Sequence, residues 1–203
     1  IDPAIYAFWH TVLHQTEWLR KQIQDTPVTI NQWHVQKNVF ENTHEYSLEQ
    51  LGFATFFLNR TNRSGILKGG VIGGKQQSSK YRIDARYNKQ NLDKRIKLIA
   101  KHRNRIRLYN IDAEELLHEI PKTLKGKTLF YFDPPYYHKG GLLYTNHYTH
   151  ADHAAVSEAI KSLNHPWIVT YDDAPVIENL YAKFPSLRFS MTYSANLERL
   201  KGS

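Results

Sequence analysis

Leu129–Tyr137 reads LFYFDPPYY, and the reading of this stretch decides the fold. A run of apolar and aromatic residues ends abruptly in an acid, two prolines and two tyrosines. With Lys127 and Thr128 in front, the run is short and nearly all apolar, the pattern of a strand in a sheet covered on both faces. Two consecutive prolines fix φ and remove two N–H donors. The main-chain carbonyls beside them therefore stay free and rigidly aimed. In open α/β sheets, ligands bind beyond the carboxyl ends of strands, and Asp133–Tyr137 stands at such an end. Asp133 and the carbonyl of Pro134 are two acceptors, Pro135 stiffens the turn, and Tyr136 adds a flat apolar face. That set suits a planar amine, such as the exocyclic amine of a nucleobase. The plainer alternative is a proline turn that carries the chain out of the core.

Strand and helix patterns alternate on both sides of this stretch. Arg105–Asp112 (RIRLYNID) alternates as a short strand does. Asp112 opens a helix through Leu117, with Glu114 and Glu115 in its first turn. Beyond the prolines, His150–Leu163 reads as a helix, PWIVTYDD as a third strand, Ala174–Lys183 as a helix and LRFSMTY as a fourth strand. Such alternation implies an α/β domain with a largely parallel sheet. Before it, Pro3 to about Lys21 has helical spacing of Ile5, Phe8, Trp9, Val12 and Leu13. Ser47–Asn59 reads as a buried helix capped by Ser47. Residues 22–92 lack the alternation and are expected to form an insert. Residues 1–21 and 93–203 are expected to form the main domain.

The net charge of +8 is unevenly spread. Residues 60–107 carry a net +13, and the remainder carries −5. A basic segment within an otherwise acidic chain is the electrostatic footprint of a polyanion partner. Five of the ten residues Gly65–Gly74 are glycine, which excludes a stable helix. That segment is expected to be a flexible loop set among Arg60, Arg63, Lys68, Lys75, Lys80, Arg82 and Arg86. These cations are candidates for phosphate contact, while Asn59, Asn62, Gln76 and Gln77 have amides able to read adenine edges. Cysteine is absent, so disulfides and thiolate metal sites are excluded, and a reducing, cytoplasmic setting is expected. No apolar run approaches the roughly 20 residues of a membrane span. The 11 histidines show no His-Glu-x-x-His spacing, and no metal is expected. His147, His150 and His153 are expected at the surface near the proline loop.

FYFDPPYY matches the Asp-Pro-Pro-Tyr motif of amino-methyltransferases. The chain resembles the Dam-like family of S-adenosylmethionine-dependent DNA adenine-N6 methyltransferases. The likeness extends to IDPAIYAFWHTVL, FFLNRTNRSGI, YTNHYTHADHAAVSEAI and SMTYSANLER, in that order along the chain. It implies a Rossmann-like methyltransferase sheet, truncated at its N-terminus, with an inserted, mostly helical DNA-recognition region. It implies that Asp133 and the Pro134 carbonyl hold the target amine and that Tyr136 stacks on an adenine flipped from the duplex. Asp112 would accept from the cofactor's adenine amine, or serve as a helix cap, or do both. Ile1 and Asp2 would lie beside the cofactor adenosine, with helix capping the alternative for Asp2. Asp133 would also border the cofactor. The implied partners are double-stranded DNA and, in a restriction-modification pair, a cognate restriction endonuclease.

This sequence departs from the family in one respect. The glycine-rich cofactor loop of the Phe-x-Gly-x-Gly type is absent and is expected upstream of Ile1. Two further readings stay open on the residues alone. One is a catalytically incomplete piece that only binds DNA. The other keeps the transfer but moves it to cytosine-N4, RNA or a protein glutamine. The family resemblance implies that an aspartate at position 133 leans toward adenine.

Overall fold

A computed structural model of the 203-residue chain describes residues 2–119, 124, 126–138 and 148–190. Ile1, His147 and the stretch from Met191 onward, including the last three residues of the expected fourth strand, lie outside the described residues. The chain divides into two compact units, Ile1–Asn110 and Ile111–Ser203.

The first unit is helical: α1 (Pro3–His14), α2 (Thr16–Asp25), α3 (Ile30–Glu41), α4 (Leu48–Thr61) and α5 (Lys89–Lys101). Asp2 caps α1, its Oδ1 accepting from the N–H groups of Ala4 (2.9 Å) and Ile5 (3.2 Å). The single helix expected over 3–21 is broken at Gln15, whose φ of −126° and ψ of 38° are not helical. The hydroxyl of Thr16, next in sequence, donates to the Val12 carbonyl at 2.7 Å across the break.

Helix α4 is the hub. Ser47 and Gln50 close a reciprocal capping box at its start. Apolar residues surround it, so it has to lie in the core; Phe57 and Leu58 are fully buried. Helices α1 and α3 pack on it. Gly52 permits the closest approach: a Cβ there would stand 2.6 Å from the Ala7 carbonyl oxygen and nearer still to Thr11 Oγ1. Arg20 on α2 donates through Nε and Nη2 to Asp93 on α5, at 2.7 and 3.1 Å. Those bonds hold the Asp93 carboxyl below its ordinary pKa.

The glycine-rich segment is folded onto this core by two side-chain amides, and is not the open tether that its composition suggests. Asn62 is fully buried. Its Oδ1 accepts from Trp33 Nε1 at 2.6 Å, and its Nδ2 donates to the carbonyls of Ile66 and Leu67, both at 2.9 Å. Gln77 donates to the carbonyls of Ile72 and Gly74 and accepts from Ile83 N–H at 2.8 Å. Asn62 and Val71 form an isolated antiparallel bridge. Gly73 has a φ of +84°, and a Cβ there would stand 2.8 Å from the Tyr81 carbonyl oxygen. Val71, Ile83 and Tyr87 are thereby pinned in the core. The Asn62 amide is spent on the Trp33 indole and the backbone, and that of Gln77 on the backbone, so neither faces a base in this conformation.

The second unit is mixed. Strand β1 (Phe130–Phe132) pairs in parallel with β2 (Trp167–Val169), Phe130 opposite Trp167 and Phe132 opposite Val169. Its helices among the described residues are α6 (Ala113–Glu119), α7 (His150–Lys161) and α8 (Pro175–Leu180). Helix α7 lies between the two parallel strands in sequence, as a β-α-β crossover requires. Leu117, Val156 and Ile160 form the core, with Phe130, Phe132, Trp167 and Val169 packed against it. The alternate residues Tyr131 and Ile168 are 62% and 49% exposed. Among the described residues that face of the sheet is open, and the apolar character of LFYF overstated its burial there. Residues 106–112 form no strand, and Leu187–Ser190 form none either. The alternation in RIRLYNID matches extended chain with no strand partner among the described residues. The fold is thus a mixed α/β one with a small parallel sheet.

Candidate active site and nucleic-acid interface

Strand β1 ends at Phe132 and delivers Asp133 to the carboxyl edge of the two-stranded sheet. Its neighbour β2 ends at Val169 and delivers Thr170 beside it. The Thr170 N–H continues the ladder by donating to the Phe132 carbonyl at 3.0 Å. The Thr170 hydroxyl donates to Asp133 Oδ1, also at 3.0 Å. A hydroxyl has one proton, and a carboxylate can only accept. The Tyr131 hydroxyl, 3.1 Å from Thr170 Oγ1, is therefore the donor of that pair. The Phe132 carbonyl, 3.4 Å from the same hydroxyl, is the more distant of two acceptors for that proton; with the proton on the nearer Asp133 oxygen, Tyr131 and Thr170 form a relay that holds Oδ1. Oδ2 has no hydrogen bond among the described residues, and the side chain is exposed.

The loop that follows is held by a second carboxylate. Asp172 Oδ1 accepts from Tyr137 N–H at 2.8 Å, and Oδ2 accepts from His138 N–H at 3.0 Å. One side chain thus clamps two successive amides just beyond the prolines. Pro134, Pro135 and Tyr136 are half-buried. Tyr137, to which the sequence assigned no firm role, packs against His153 with ring centres 5.3 Å apart.

His153 is buried, contrary to the expectation of a surface histidine. Position 153 is on the inward face of α7, and its Nδ1 lies 3.1 Å from the Tyr171 hydroxyl. Rings of Tyr137, Tyr148 and Tyr171 surround it. Burial pulls the His153 imidazole below its ordinary pKa, with Asp152 and Asp172 opposing and His150 reinforcing the shift. Burial likewise pushes the Tyr171 phenol up. His150 is exposed.

Asp112 lies exposed at the start of α6, and its Oδ1 accepts from Glu114 N–H at 2.9 Å. The capping role holds, and its second oxygen has no hydrogen bond among the described residues. Asp2 caps α1. Thr170 and Asp172 were missed as neighbours of the proline loop, whereas His153 was placed near it but expected at the surface. The signal was present: Thr170–Asp172 follow directly on a second strand, where the carboxyl-end rule applies as it does to Asp133. Reading the whole of PWIVTYDD as strand concealed them.

On the helical unit, Arg63, Lys68, Lys75, Lys80, Arg82 and Arg86 are all exposed, around the folded glycine segment. Lys80 lies over the Tyr81 ring, 5.8 Å from its centre. Asn59 and Arg60 are half-buried and bonded to each other. Arg60 Nε donates to Asn59 Oδ1 at 3.0 Å, Nη2 donates to the same oxygen, and Asn59 Nδ2 donates to the Gly65 carbonyl at 3.1 Å.

An oriented carboxylate and a double proline at a parallel strand end, with a basic helical unit in the same chain, are compatible with a class: enzymes that act on an amine of a nucleic acid. The sequence profile of the D12 class N6 adenine-specific DNA methyltransferases matches residues 4–195, and the chain belongs to that family. It is an enzyme of adenine-N6 DNA methylation. No curated protein matches the chain.

Proposed function

We propose that Asp133 and the Pro134 carbonyl accept the two hydrogens of the adenine N6 amine, and that Tyr136 stacks on the flipped base. The supporting observation is the bond from Thr170 to Asp133 Oδ1, which orients the carboxylate and leaves Oδ2 to accept. Two acceptors draw density onto the amine nitrogen and align its lone pair. Orientation is the main demand, because the reaction needs no strong base. Asp133 takes up the proton shed by the methylated amine, directly or through water.

S-adenosylmethionine, the donor that the family implies, supplies a methyl group on a positively charged sulfur. The donor set here fits such a ligand: Asp112 and Asp133 each offer an uncommitted carboxylate oxygen to amine groups or positive charge. Asp112 accepts the cofactor adenine amine while capping α6. Ile1 and Asp2 are the remaining cofactor candidates.

Residues 22–92 are the target-recognition region, and 1–21 with 93–203 carry out the transfer on a Rossmann-like sheet. Double-stranded DNA is the substrate, with Asn59, Arg60, Arg63, Lys68, Lys75, Lys80, Arg82 and Arg86 toward its backbone and bases. A restriction endonuclease of the same specificity is the natural companion. The cysteine-free composition and the absence of a helix long and apolar enough to span a membrane among the described residues fit a cytoplasmic setting. Transfer of labelled methyl from S-adenosylmethionine to duplex DNA, with the product sequenced for N6-methyladenine, tests the reading. Label on cytosine or protein, or none at all, would refute it.

A further inference from the structure

Three arginines and a lysine converge on the helical unit with no acid among them. Arg60 leaves the last turn of α4, Arg86 precedes α5, and Lys94 and Arg95 stand on α5. With Asn88, Asn91 and Leu92 they line a cavity of about 460 Å³. None of these four cations pairs with a carboxylate among the described residues. The acid next to them on α5, Asp93, is already taken by Arg20.

The pocket is built, not a chance gathering of surface charge. Arg60 is half-buried, and its guanidinium is fixed through Nε and Nη2 by Asn59. Arg86 lines the same pocket, and its Nη1 lies 3.5 Å from where a Cβ on Gly65 would stand. Gly65, at a φ of +76°, is also the residue whose carbonyl holds Asn59. Leu92 is buried, and Asn88 caps α5 by accepting from Asn91 N–H at 2.9 Å. The positive end of the α5 dipole adds to the field there. Burial and then the charges of Arg86 and Arg95 pull the Arg60 guanidinium below its ordinary pKa. Such a cluster is electrostatically unfavourable until an anion enters it.

Guanidinium forks match the oxygens of a phosphate better than a base edge, which presents donors as well as acceptors. We propose that this pocket seats one phosphate of the DNA backbone, gripped by Arg60, Arg86 and Arg95 with Lys94 at the rim. The proposal rests on the DNA reading above. It adds Lys94 and Arg95 to the interface and makes Arg60 and Arg86 phosphate-positioning residues. The pocket registers the duplex without reading its sequence.

Duplex binding by the wild type and by R86Q/R95Q is measured over a range of salt. Both positions are exposed, so the fold tolerates the change. The double variant should bind about tenfold more weakly, equally for duplexes of any sequence, with a log–log salt slope shallower by about one. R86K/R95K should restore the slope but not all the affinity, because lysine lacks the fork. In a second arm, inorganic phosphate is titrated into ¹⁵N-arginine-labelled protein. The Arg60 Nε–H resonance should move in the wild type and stay still in R86Q/R95Q. Wild-type affinity and slope in the double variant would overturn the pocket and leave the methyltransferase reading intact. No affinity of the wild type for any duplex, with the Arg60 resonance still responding to phosphate, would overturn the DNA reading on which the proposal rests.

Discussion

The proposed chemistry turns on Asp133, a residue that stands out from its neighbours in sequence. An acid followed by two prolines after an apolar run has few explanations. Replacing it with alanine should abolish methyl transfer while leaving duplex affinity near wild type, read by labelled-methyl incorporation beside a binding titration. Thr170 was not legible, because its relation to Asp133 exists only across two paired strands. Thr170→Val keeps the volume and removes the hydroxyl. We expect kcat to fall by about tenfold to a hundredfold through misorientation of the carboxylate, with little change in KM for DNA. Thr170→Ser should recover most of the rate; failure of serine to do so would mean that the threonine only packs. His153 carries a pH prediction. Its folded pKa is depressed, so the unfolded chain binds the proton first. The stability it contributes is present above about pH 6.5 and is lost as pH falls below that value. Melting temperature against pH should show this loss in the wild type, and a His153→Gln variant should lack it.

At the scale of elements, the helices were read most securely, because capping and periodicity are local. Ser47 with Gln50, Asp112 before α6 and the apolar surround of α4 all announce themselves within a few residues. Errors arose where tertiary partners decide. The expected first helix is two, since a break at Gln15 still preserves apolar spacing on both sides. RIRLYNID alternates but finds no strand partner among the described residues. The glycine segment looked loose because its order comes from Asn62 and Gln77, whose bonds reach several residues along the chain. Gly52 has a cost that only packing reveals. Gly52→Ala would force a methyl onto the Ala7 carbonyl and Thr11, separating α1 from α4. A loss of about 1–3 kcal/mol in denaturant unfolding is expected. A neutral or stabilising alanine would contradict the close approach.

For the whole molecule, the charge division survives translation into structure: the basic residues belong to the helical unit and surround a folded loop and a cationic pocket. Binding to duplex DNA should therefore weaken steeply as salt is raised, as counterions released from neutralised phosphates require. Fluorescence anisotropy at several ionic strengths measures this, and a flat response would remove DNA from the list of partners. The net +13 of residues 60–107 was visible in composition alone. Its organisation was not, since Arg60 and Arg86 lie 26 positions apart in sequence and line one pocket in space.

The sequence by itself determined the helix caps, the double-proline strand end, the charge asymmetry and the resemblance to adenine methyltransferases. These depend on local sterics, composition and ordered motifs, all of which are properties of the chain. Tertiary structure alone decided that Thr170 aims Asp133, that Asp172 clamps the following loop, that His153 is buried, and that Arg60 shares a pocket with Arg86 and Arg95. Each of those is a contact between residues distant in sequence, and no local pattern specifies which of many polar side chains will meet.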